Sequence, residues 1–377
     1  MSRNGKSSMQ LTEFLYNKAG RAGIPIGGTF ELSPVCNFSC PMCYVRKTAG
    51  EVAAHDRPIL TLDQWMDIAH QAREQGLLYL LLTGGEPLLW PDFWTLYEQL
   101  IQMGFLVSIN TNGSLIDDAA IQRFRRLIPR RVNITLYGAS DATYEAQCGA
   151  KGVFSRVKRA IEGLQDAGIL VKLNGTMTPQ NAADLDALVA YAQSRRLILE
   201  TTTYLFPPVR RLPSMTGVNQ RFTPEEAARH HLRIFELQNG PERYRAYLEN
   251  IRKNAVPPPG LDEHCVDPLD GKIRCRAGKA SFWVTWDGYL TPCGMMPEPK
   301  VDLTGRPFGD AWRELTEASA ALTLSGVCTK CPNADLCHSC AAMAMAETGS
   351  ASGIPKYLCQ MARAMREEAE NQLAESQ

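Results

Sequence analysis

The chain has 377 residues, of which 45% are hydrophobic, so it has room for one large domain and a smaller one around real cores. Its 40 Lys and Arg residues balance its 40 Asp and Glu residues, which argues against nucleic acid as an obligatory partner. The sequence has no apolar run of about 18 residues and no apolar signal core after Met1, so we expect a cytoplasmic protein without a membrane span.

Strand-like and helix-like segments alternate between residues 27 and 207. Thr61 and Gln64 have the spacing of a capping box at the start of the first helix. Because six βα units follow one another, we expect an α/β fold with a parallel sheet and right-handed crossovers. The predicted strands are residues 29–33, 77–83, 106–110, 132–137, 171–174 and 198–204, and the predicted helices are residues 61–74, 92–103, 118–127, 154–167 and 182–194.

Three cysteines follow the first predicted strand: Cys36, Cys40 and Cys43, in the spacing C-x3-C-x2-C. A cubane of four irons and four sulfides normally takes four thiolates, so three thiolates leave one iron without a protein ligand. That iron suits the amino and carboxylate groups of S-adenosylmethionine, whose C–S bond an electron from the cluster can break to release a 5′-deoxyadenosyl radical. The alternative is a zinc or structural site, but zinc prefers four ligands, and the nearest histidine, His55, lies beyond a polar stretch.

A second motif, Gly84-Gly85-Glu86, ends the apolar run of the second predicted strand. Glycines let backbone carbonyls approach a ligand closely, and a carboxylate suits an ammonium group. Alone, the motif predicts only a turn. At one strand–helix–strand step after the cysteine loop, it indicates a ligand-binding role.

The last third of the chain is rich in cysteine. Two helical stretches, residues 223–237 and 241–254, lead to it, and residues 281–291 predict a hairpin that turns at Asp287 and Gly288. The eight cysteine thiolates of this last third suit two further [4Fe–4S] clusters. The alternative is a pair of structural zinc sites. The eight residues are Cys265, Cys275, Cys293, Cys328, Cys331, Cys337, Cys340 and Cys359.

The cysteine loop and the glycine turn resemble those of the radical SAM superfamily. The C-terminal cysteines resemble the SPASM extension of members that modify peptides or proteins. The resemblance implies a partial (β/α)6 TIM-like barrel with a cysteine-rich C-terminal extension and a site at the C-terminal strand ends. It divides the chain into an N-terminal segment, a radical SAM core, a helical bridge and the extension, at residues 1–26, 27–210, 211–262 and 263–377.

The resemblance also implies the site residues. Gly84, Gly85 and Glu86 would hold the amino group of S-adenosylmethionine, and Thr135 and Asn174 would contact its sugar or methionine. Together with the cluster on the loop, two auxiliary clusters would make three [4Fe–4S] clusters. The first would take Cys265, Cys275, Cys293 and Cys340, and the second Cys328, Cys331, Cys337 and Cys359.

The sequence departs from the family pattern at two places. Two residues rather than three precede Cys340, and Gln147-Cys148-Gly149 stands where an Arg-Gly pair often meets the methionine carboxylate. If Cys265 is not a ligand, its cluster has an open iron that can bind substrate, whereas full ligation favours electron transfer. Cys148 fits neither ligand set, and it is a candidate hydrogen-atom donor or a buried small apolar residue.

The resemblance implies hydrogen abstraction from a peptide or protein, most often a ribosomally made peptide, with crosslinking, epimerisation or oxidation as the outcome. The alternatives are the same chemistry on a sugar or small molecule, maturation of an enzyme such as a sulfatase, or a non-catalytic iron–sulfur carrier or zinc scaffold. The expected partners include a flavodoxin or ferredoxin reductant. Because only about 27 residues precede the first strand, either a separate protein binds the leader of the peptide or the leader binds the C-terminal extension directly.

Overall fold

A nine-stranded sheet organises the part of the chain that the structure describes, with the strand order β6-β5-β4-β3-β2-β1-β7-β8-β9. This computed structural model describes residues 5–207, 209–210, 220–253, 273, 275–329 and 331–375. The strands are β1 Gly27–Glu31, β2 Tyr79–Thr83, β3 Leu106–Thr111, β4 Arg131–Thr135, β5 Val171–Thr176, β6 Ile198–Thr202, β7 Ser281–Val284, β8 Tyr289–Thr291 and β9 Val301–Asp302.

The first six strands confirm the predicted parallel sheet. Each pairs in parallel with its neighbour in chain order from β1 to β6. The helices between them begin and end close to the predicted positions. They are α3 Leu62–Glu74, α4 Phe93–Gln102, α5 Asp118–Arg126, α7 Phe154–Asp166 and α8 Leu185–Ser194.

Local sequence signals explain the start of α3. Thr61 accepts a hydrogen bond from the backbone of Gln64, whose side chain in turn accepts one from the backbone of Thr61, so the predicted capping box is present. The buried face of α3 carries Trp65. Its ring lies 4.8 Å, centroid to centroid, from the ring of Phe30 in β1. Both side chains are fully buried, so α3 is fixed against the first strand.

The C-terminal region continues the same sheet, which the sequence did not predict. β7 pairs in parallel with β1, and β7 and β8 form the expected antiparallel hairpin. Gly288, in the turn, has a φ of 88°, a backbone conformation that favours glycine. The hairpin therefore presents its turn at the edge of the sheet where the cysteine loop leaves β1.

Helices that the sequence did not predict lie at the N-terminus, between the parallel strands and in the C-terminal region. The long α15 packs against the two bridge helices, α9 Pro224–Asn239 and α10 Pro241–Arg252. Residues 211–219 of the predicted bridge, and residues 254–262, lie outside the described residues. The unpredicted helices are α1 Gly5–Ala22, α2 Ala49–Ala53, α6 Asp141–Cys148, α11 Phe308–Ala320, α12 Gly326–Thr329, α13 Ala334–Cys337, α14 Ala341–Thr348 and α15 Lys356–Glu375.

Across the described ranges, none of the helices combines the length and the apolar character that a membrane crossing requires.

Candidate active site

The candidate site lies at the C-terminal ends of the parallel strands. The loop with Cys36, Cys40 and Cys43 follows β1, and the turn with Gly84 and Gly85 follows β2. Because the strands are parallel, both segments reach the same edge of the sheet. The strand order therefore brings the two predicted motifs together.

Backbone hydrogen bonds join the cysteine loop to the glycine turn. The amide of Gly85 donates to the carbonyl of Ser33 over 2.7 Å, and the amide of Glu86 donates to the carbonyl of Val35 over 2.9 Å. A Cβ atom on Gly84 would overlap the carbonyl oxygen of Ser33, and one on Gly85 would overlap that of Val35. The two glycines are required because the loop backbone lies directly against them.

The Glu86 carboxylate is fully buried and joins the ends of β2 and β3. It accepts hydrogen bonds from the Thr111 hydroxyl at 2.8 Å, from the Asn112 amide at 2.8 Å and from the Leu88 amide at 3.2 Å. Burial raises the pKa of Glu86 to about 7, although these hydrogen bonds act in the opposite direction. Its carboxylate is therefore committed to donors within the protein.

The three thiols of the loop lie near one another. Burial raises the pKa of Cys36 to about 11, and the nearby thiol of Cys43 acts in the same direction. The pKa of Cys40 is also raised, by a hydrogen bond with Cys148, by burial and by charge on Cys43 and Cys36. Backbone N–H groups point at two of the sulfurs, from Phe38 to Cys36 at 3.4 Å and from Arg46 to Cys43 at 3.3 Å.

Thr135, the last residue of β4, is paired in register with Asn174, which lies two residues before the end of β5. Both are half-buried. Beside them, at the end of β4, lies Tyr137. Burial holds its pKa well above the ordinary value, and the three loop thiols act in the same direction. Its ring packs edge-on against Phe38, with the centroids 5.8 Å apart. The sequence did not predict the contact between Tyr137 and Phe38, because this contact depends on the pairing of β4 with its neighbours.

Cys148 lies beneath the cysteine loop. Its side chain is fully buried at the end of α6, and its thiol donates to the carbonyl of Tyr144 over 2.9 Å. Its carbonyl accepts a hydrogen bond from the amide of Ser39 over 2.9 Å, and its thiol raises the pKa of Cys40. The residue therefore supports the loop at Cys40.

The C-terminal cysteines fall into two groups. In the first, burial raises the pKa of Cys340 to about 11, and the thiols of Cys275 and Cys293 act in the same direction. Cys265, the fourth predicted member, lies outside the described residues. Because these thiols come from segments before β7, after β8 and before α14, tertiary packing brings them together.

The second group combines Cys328 and Cys331 with Cys337 of α13 and Cys359 of α15. Burial raises the pKa of Cys337, and the thiols of Cys359 and Cys328 add to the rise. Burial also raises the pKa of Cys359, where Cys328 and Cys331 add to the rise. Within the described ranges, no three His, Cys, Asp or Glu side chains converge on a point where a single metal ion would bind.

A buried ionic network, which the sequence did not reveal, lies between the loop and the hairpin. Glu31, at the end of β1, is 1% exposed at its side chain and pairs with Arg210 over 2.7 Å. The indole N–H of Trp283 in β7 donates to the same carboxylate over 2.9 Å. The Arg210 guanidinium lies 5.3 Å from the ring centroid of Tyr44, the residue after Cys43. Burial raises the pKa of Tyr44, with charge on Cys43 and Cys293 acting in the same direction, so this ring lies near thiols of both regions.

A parallel α/β core with a three-thiol loop at its C-terminal edge is the architecture of an enzyme that uses an iron–sulfur cluster and S-adenosylmethionine. The family model of the radical SAM superfamily matches residues 30–192. A probable GTP 3′,8-cyclase from Saccharolobus islandicus (strain M.14.25 / Kamchatka #1) is 31% identical over 72% of this chain and 83% of its own length. The chain belongs to the radical SAM superfamily.

Other relatives match most of the chain at lower identity. The AdoMet-dependent heme synthase of Methanosarcina barkeri is 24% identical over 85% of this chain and 92% of its own length. The mycofactocin maturase MftC of Mycolicibacterium smegmatis is 26% identical over 83% of this chain and 77% of its own length.

Two solved structures share the fold over nearly the whole chain. SuiB of Streptococcus suis, bound to the precursor peptide SuiA, has a TM-score of 0.65 at 16% identity and covers 96% of this chain and 82% of its own. Native anSMEcpe with bound AdoMet has a TM-score of 0.68 at 16% identity and covers 93% of this chain and 99% of its own. The protein is thus a radical SAM enzyme, which binds S-adenosylmethionine and a [4Fe–4S] cluster.

Proposed function

We propose that Cys36, Cys40 and Cys43 ligate this cluster and leave one iron open to S-adenosylmethionine. The observation that carries the proposal is the joining of the three-thiol loop to the Gly84-Gly85 turn by backbone hydrogen bonds. The grouped thiols and the N–H groups directed at their sulfurs fit a thiolate-bound cluster. When bound, the cluster and S-adenosylmethionine supply a 5′-deoxyadenosyl radical, and the chain positions the nucleotide and the substrate.

The residues around the loop contact different parts of S-adenosylmethionine or fix the segments that contact it. Because the amide of Gly85 already donates to the cysteine loop, the turn meets the amino group through its carbonyl oxygens. Glu86 contributes mainly by fixing this turn to the end of β3, through the hydroxyl of Thr111. Thr135 and Asn174 contact the sugar or the methionine from the neighbouring strand ends.

The C-terminal thiols hold two auxiliary [4Fe–4S] clusters. The first takes Cys275, Cys293 and Cys340, with Cys265 as fourth ligand, and the second takes Cys328, Cys331, Cys337 and Cys359. The support is the separation of the thiols into these two groups, with electrostatic coupling inside each. Tyr44 lies near Cys43 of the loop and Cys293 of the first group, since charge on both thiols acts on its pKa, so these two proposed clusters would be neighbours.

The substrate is a peptide, from which the enzyme abstracts a hydrogen atom to give a crosslink, an inverted centre or an oxidised residue. The fold shared with peptide-bound SuiB over nearly the whole chain favours this class. The relation to the maturase MftC favours it as well. Cys148 is the candidate hydrogen donor, and a flavodoxin or ferredoxin supplies electrons. The C-terminal extension borders the site through the pairing of β7 with β1, so it holds the leader of the peptide directly, in place of a separate leader-binding protein.

A second candidate is the same radical chemistry on a small molecule. The heme synthase of Methanosarcina barkeri and the probable GTP 3′,8-cyclase of Saccharolobus islandicus favour it, since both match most of this chain. Fold and cofactor do not decide between the two substrate classes.

The two candidates are separated by reaction of the anaerobically reconstituted protein with dithionite, S-adenosylmethionine and either candidate peptides or candidate small molecules. Formation of 5′-deoxyadenosine, together with a mass change in one peptide, supports the proposal. Deoxyadenosine formation that only a small molecule stimulates supports the second candidate. A reconstituted protein that forms no deoxyadenosine under any of these conditions contradicts both.

A further inference from the structure

A cationic cavity of about 220 Å³ lies between the cysteine loop and the hairpin of the C-terminal region. Lys47 follows the loop, Trp286 and Tyr289 belong to the hairpin, and Lys300 precedes β9. Arg210 contributes the wall nearest the buried network with Glu31. The cavity therefore lies at the sheet edge where the candidate active site is found.

The cation on the inner wall of this cavity has an unused hydrogen-bond donor. Two nitrogens of the Arg210 guanidinium donate to the two oxygens of Glu31, at 2.9 and 2.7 Å. Its remaining Nε atom is buried and has no hydrogen-bond partner among the described residues. A buried N–H group without an acceptor is unfavourable, so an acceptor atom from a ligand would satisfy the Nε–H group of Arg210.

The other cations of the cavity add positive charge that the protein only partly balances. Lys47 makes no ion pair within the described ranges, and Lys300 has Glu298 at 3.3 Å. Among the described residues, Asp287 supplies the one carboxylate that lines the cavity, and it accepts a hydrogen bond from the Thr285 hydroxyl at 2.6 Å. It also lies 3.9 Å from the ring of His55. Arg210 and Lys300 have carboxylate partners in Glu31 and Glu298, whereas Lys47 has none among the described residues. The unpaired ammonium of Lys47 at the cavity wall therefore favours an anionic ligand.

We propose that this cavity binds an anionic oxygen group of the substrate, a carboxylate or a phosphate. Lys47 and the Nε atom of Arg210 hold the anion, while Trp286, Tyr289 and Met296 contact the carbon chain that carries it. The proposal rests on the proposed function, which it deepens by assigning the charge of the substrate. Since Arg210 also lies beside Tyr44, next to Cys43, the anion would anchor the substrate close to the cluster loop.

The test is isothermal titration calorimetry on the anaerobically reconstituted full chain at constant ionic strength. The probes are glutarate, inorganic phosphate and glutaramide, which has the shape of glutarate but no charge. We expect saturable binding of glutarate or of phosphate, with much weaker binding of glutaramide. Preference between the first two identifies the source of the anion as a carboxylate or a phosphate.

The decisive variant is Lys47→Gln. Lys47 lies on a loop and makes no ion pair within the described residues, so the substitution leaves no carboxylate without its counter-charge. Loss of one charged hydrogen bond weakens binding about ten-fold. Lys253→Gln, an exposed lysine at the end of α10, is the matched control and binds as the wild type does. If Lys47→Gln lowers the melting temperature, Lys300→Gln provides the same comparison.

Unchanged affinity in the lysine variants, equal binding of glutaramide, or no saturable binding of either anion overturns the proposal. The calorimetry does not depend on radical formation. Failure of the wild type to form deoxyadenosine therefore contradicts the proposed function, whereas the calorimetry still tests anion binding in the cavity.

Discussion

The cysteine loop and the C-terminal thiol groups are assembled in different ways. The loop thiols lie within eight consecutive residues, and backbone hydrogen bonds join the loop to the turn after β2. The C-terminal thiols come from segments spread between Cys275 and Cys359 and depend on the packing of the hairpin, α13 and α15. The first site is therefore fixed by adjacent strand ends, whereas the second requires the whole C-terminal region to fold.

The largest expected effect on activity comes from Gly85→Ala, which changes only the first site. The added Cβ overlaps the backbone of Val35 and Pro34, which cannot move without displacing the cysteine loop. We expect a stability loss of at least about 1–3 kcal/mol and deoxyadenosine formation at background level. Iron content, thermal melting and a deoxyadenosine assay measure these effects.

The matched control is Gly50→Ala in α2, where the nearest atom to an added Cβ is 4.0 Å away. This variant keeps wild-type iron content and activity. Equal behaviour of the two variants would contradict the assignment of Gly85 to loop packing.

The second prediction concerns the contact between the two regions. Glu31→Ala leaves the Arg210 guanidinium buried without its counter-charge, and the indole N–H of Trp283 loses its acceptor. Removing one partner of a buried ion pair costs about 3–5 kcal/mol. Urea unfolding of the anaerobic protein should show a loss of this size.

Glu145→Ala is the control for that measurement, because the Lys151–Glu145 pair lies at the surface, with side chains 80% and 51% exposed. Such a pair contributes about 0–1 kcal/mol. Similar losses in Glu31→Ala and Glu145→Ala would contradict a stabilising role for the buried network.

The third prediction concerns the first site and depends on the pKa of Glu86. Burial raises this pKa from the ordinary value of 4.5 to about 7, so the folded state binds more protons than the unfolded state between these values. Stability therefore falls as the pH rises through this window, by up to about 3 kcal/mol. Glu86→Gln should flatten the dependence of the melting temperature on pH between 5 and 8, and the same slope in both proteins would contradict it.

The smallest expected effect lies at the outer side of the hairpin. A hydrogen bond from the Arg57 side chain holds the pKa of Asp302 well below its usual range. The pair stabilises the fold above the unfolded pKa of about 3.9 and loses this effect as the pH falls below it. Because Asp302 is 41% exposed at its side chain, Asp302→Asn should cost about 0–1 kcal/mol at pH 7. Thermal melting detects this loss, and a cost as large as that of Glu31→Ala would show that exposure does not weaken the pair.

The parallel sheet was predictable because its strands and helices alternate with local signals such as the capping box at Thr61. The meeting of the cysteine loop with the glycine turn was predictable for the same reason, since both follow parallel strands. The grouping of the C-terminal thiols required the family resemblance, because no local pattern joins Cys275 to Cys340.

Other parts of the site had no readable signal in the sequence. Glu31 meets Arg210 across 179 residues and Trp283 across 252 residues, and such pairs leave no local pattern. Cys148 could be recognised as an unassigned thiol, but its position beneath Cys40 depends on α6, which was not predicted. The pairing of β7 with β1 likewise joins strands that are distant in sequence.

The central claim is that the loop of Cys36, Cys40 and Cys43 holds a cluster with an iron open to S-adenosylmethionine. Electron paramagnetic resonance of the dithionite-reduced protein, recorded with and without S-adenosylmethionine, tests it most directly. The account predicts a cluster signal that changes when the nucleotide is added and that is missing from a variant with all three cysteines replaced by alanine. A spectrum that S-adenosylmethionine leaves unchanged, or a triple variant that keeps the responsive signal, would contradict the account.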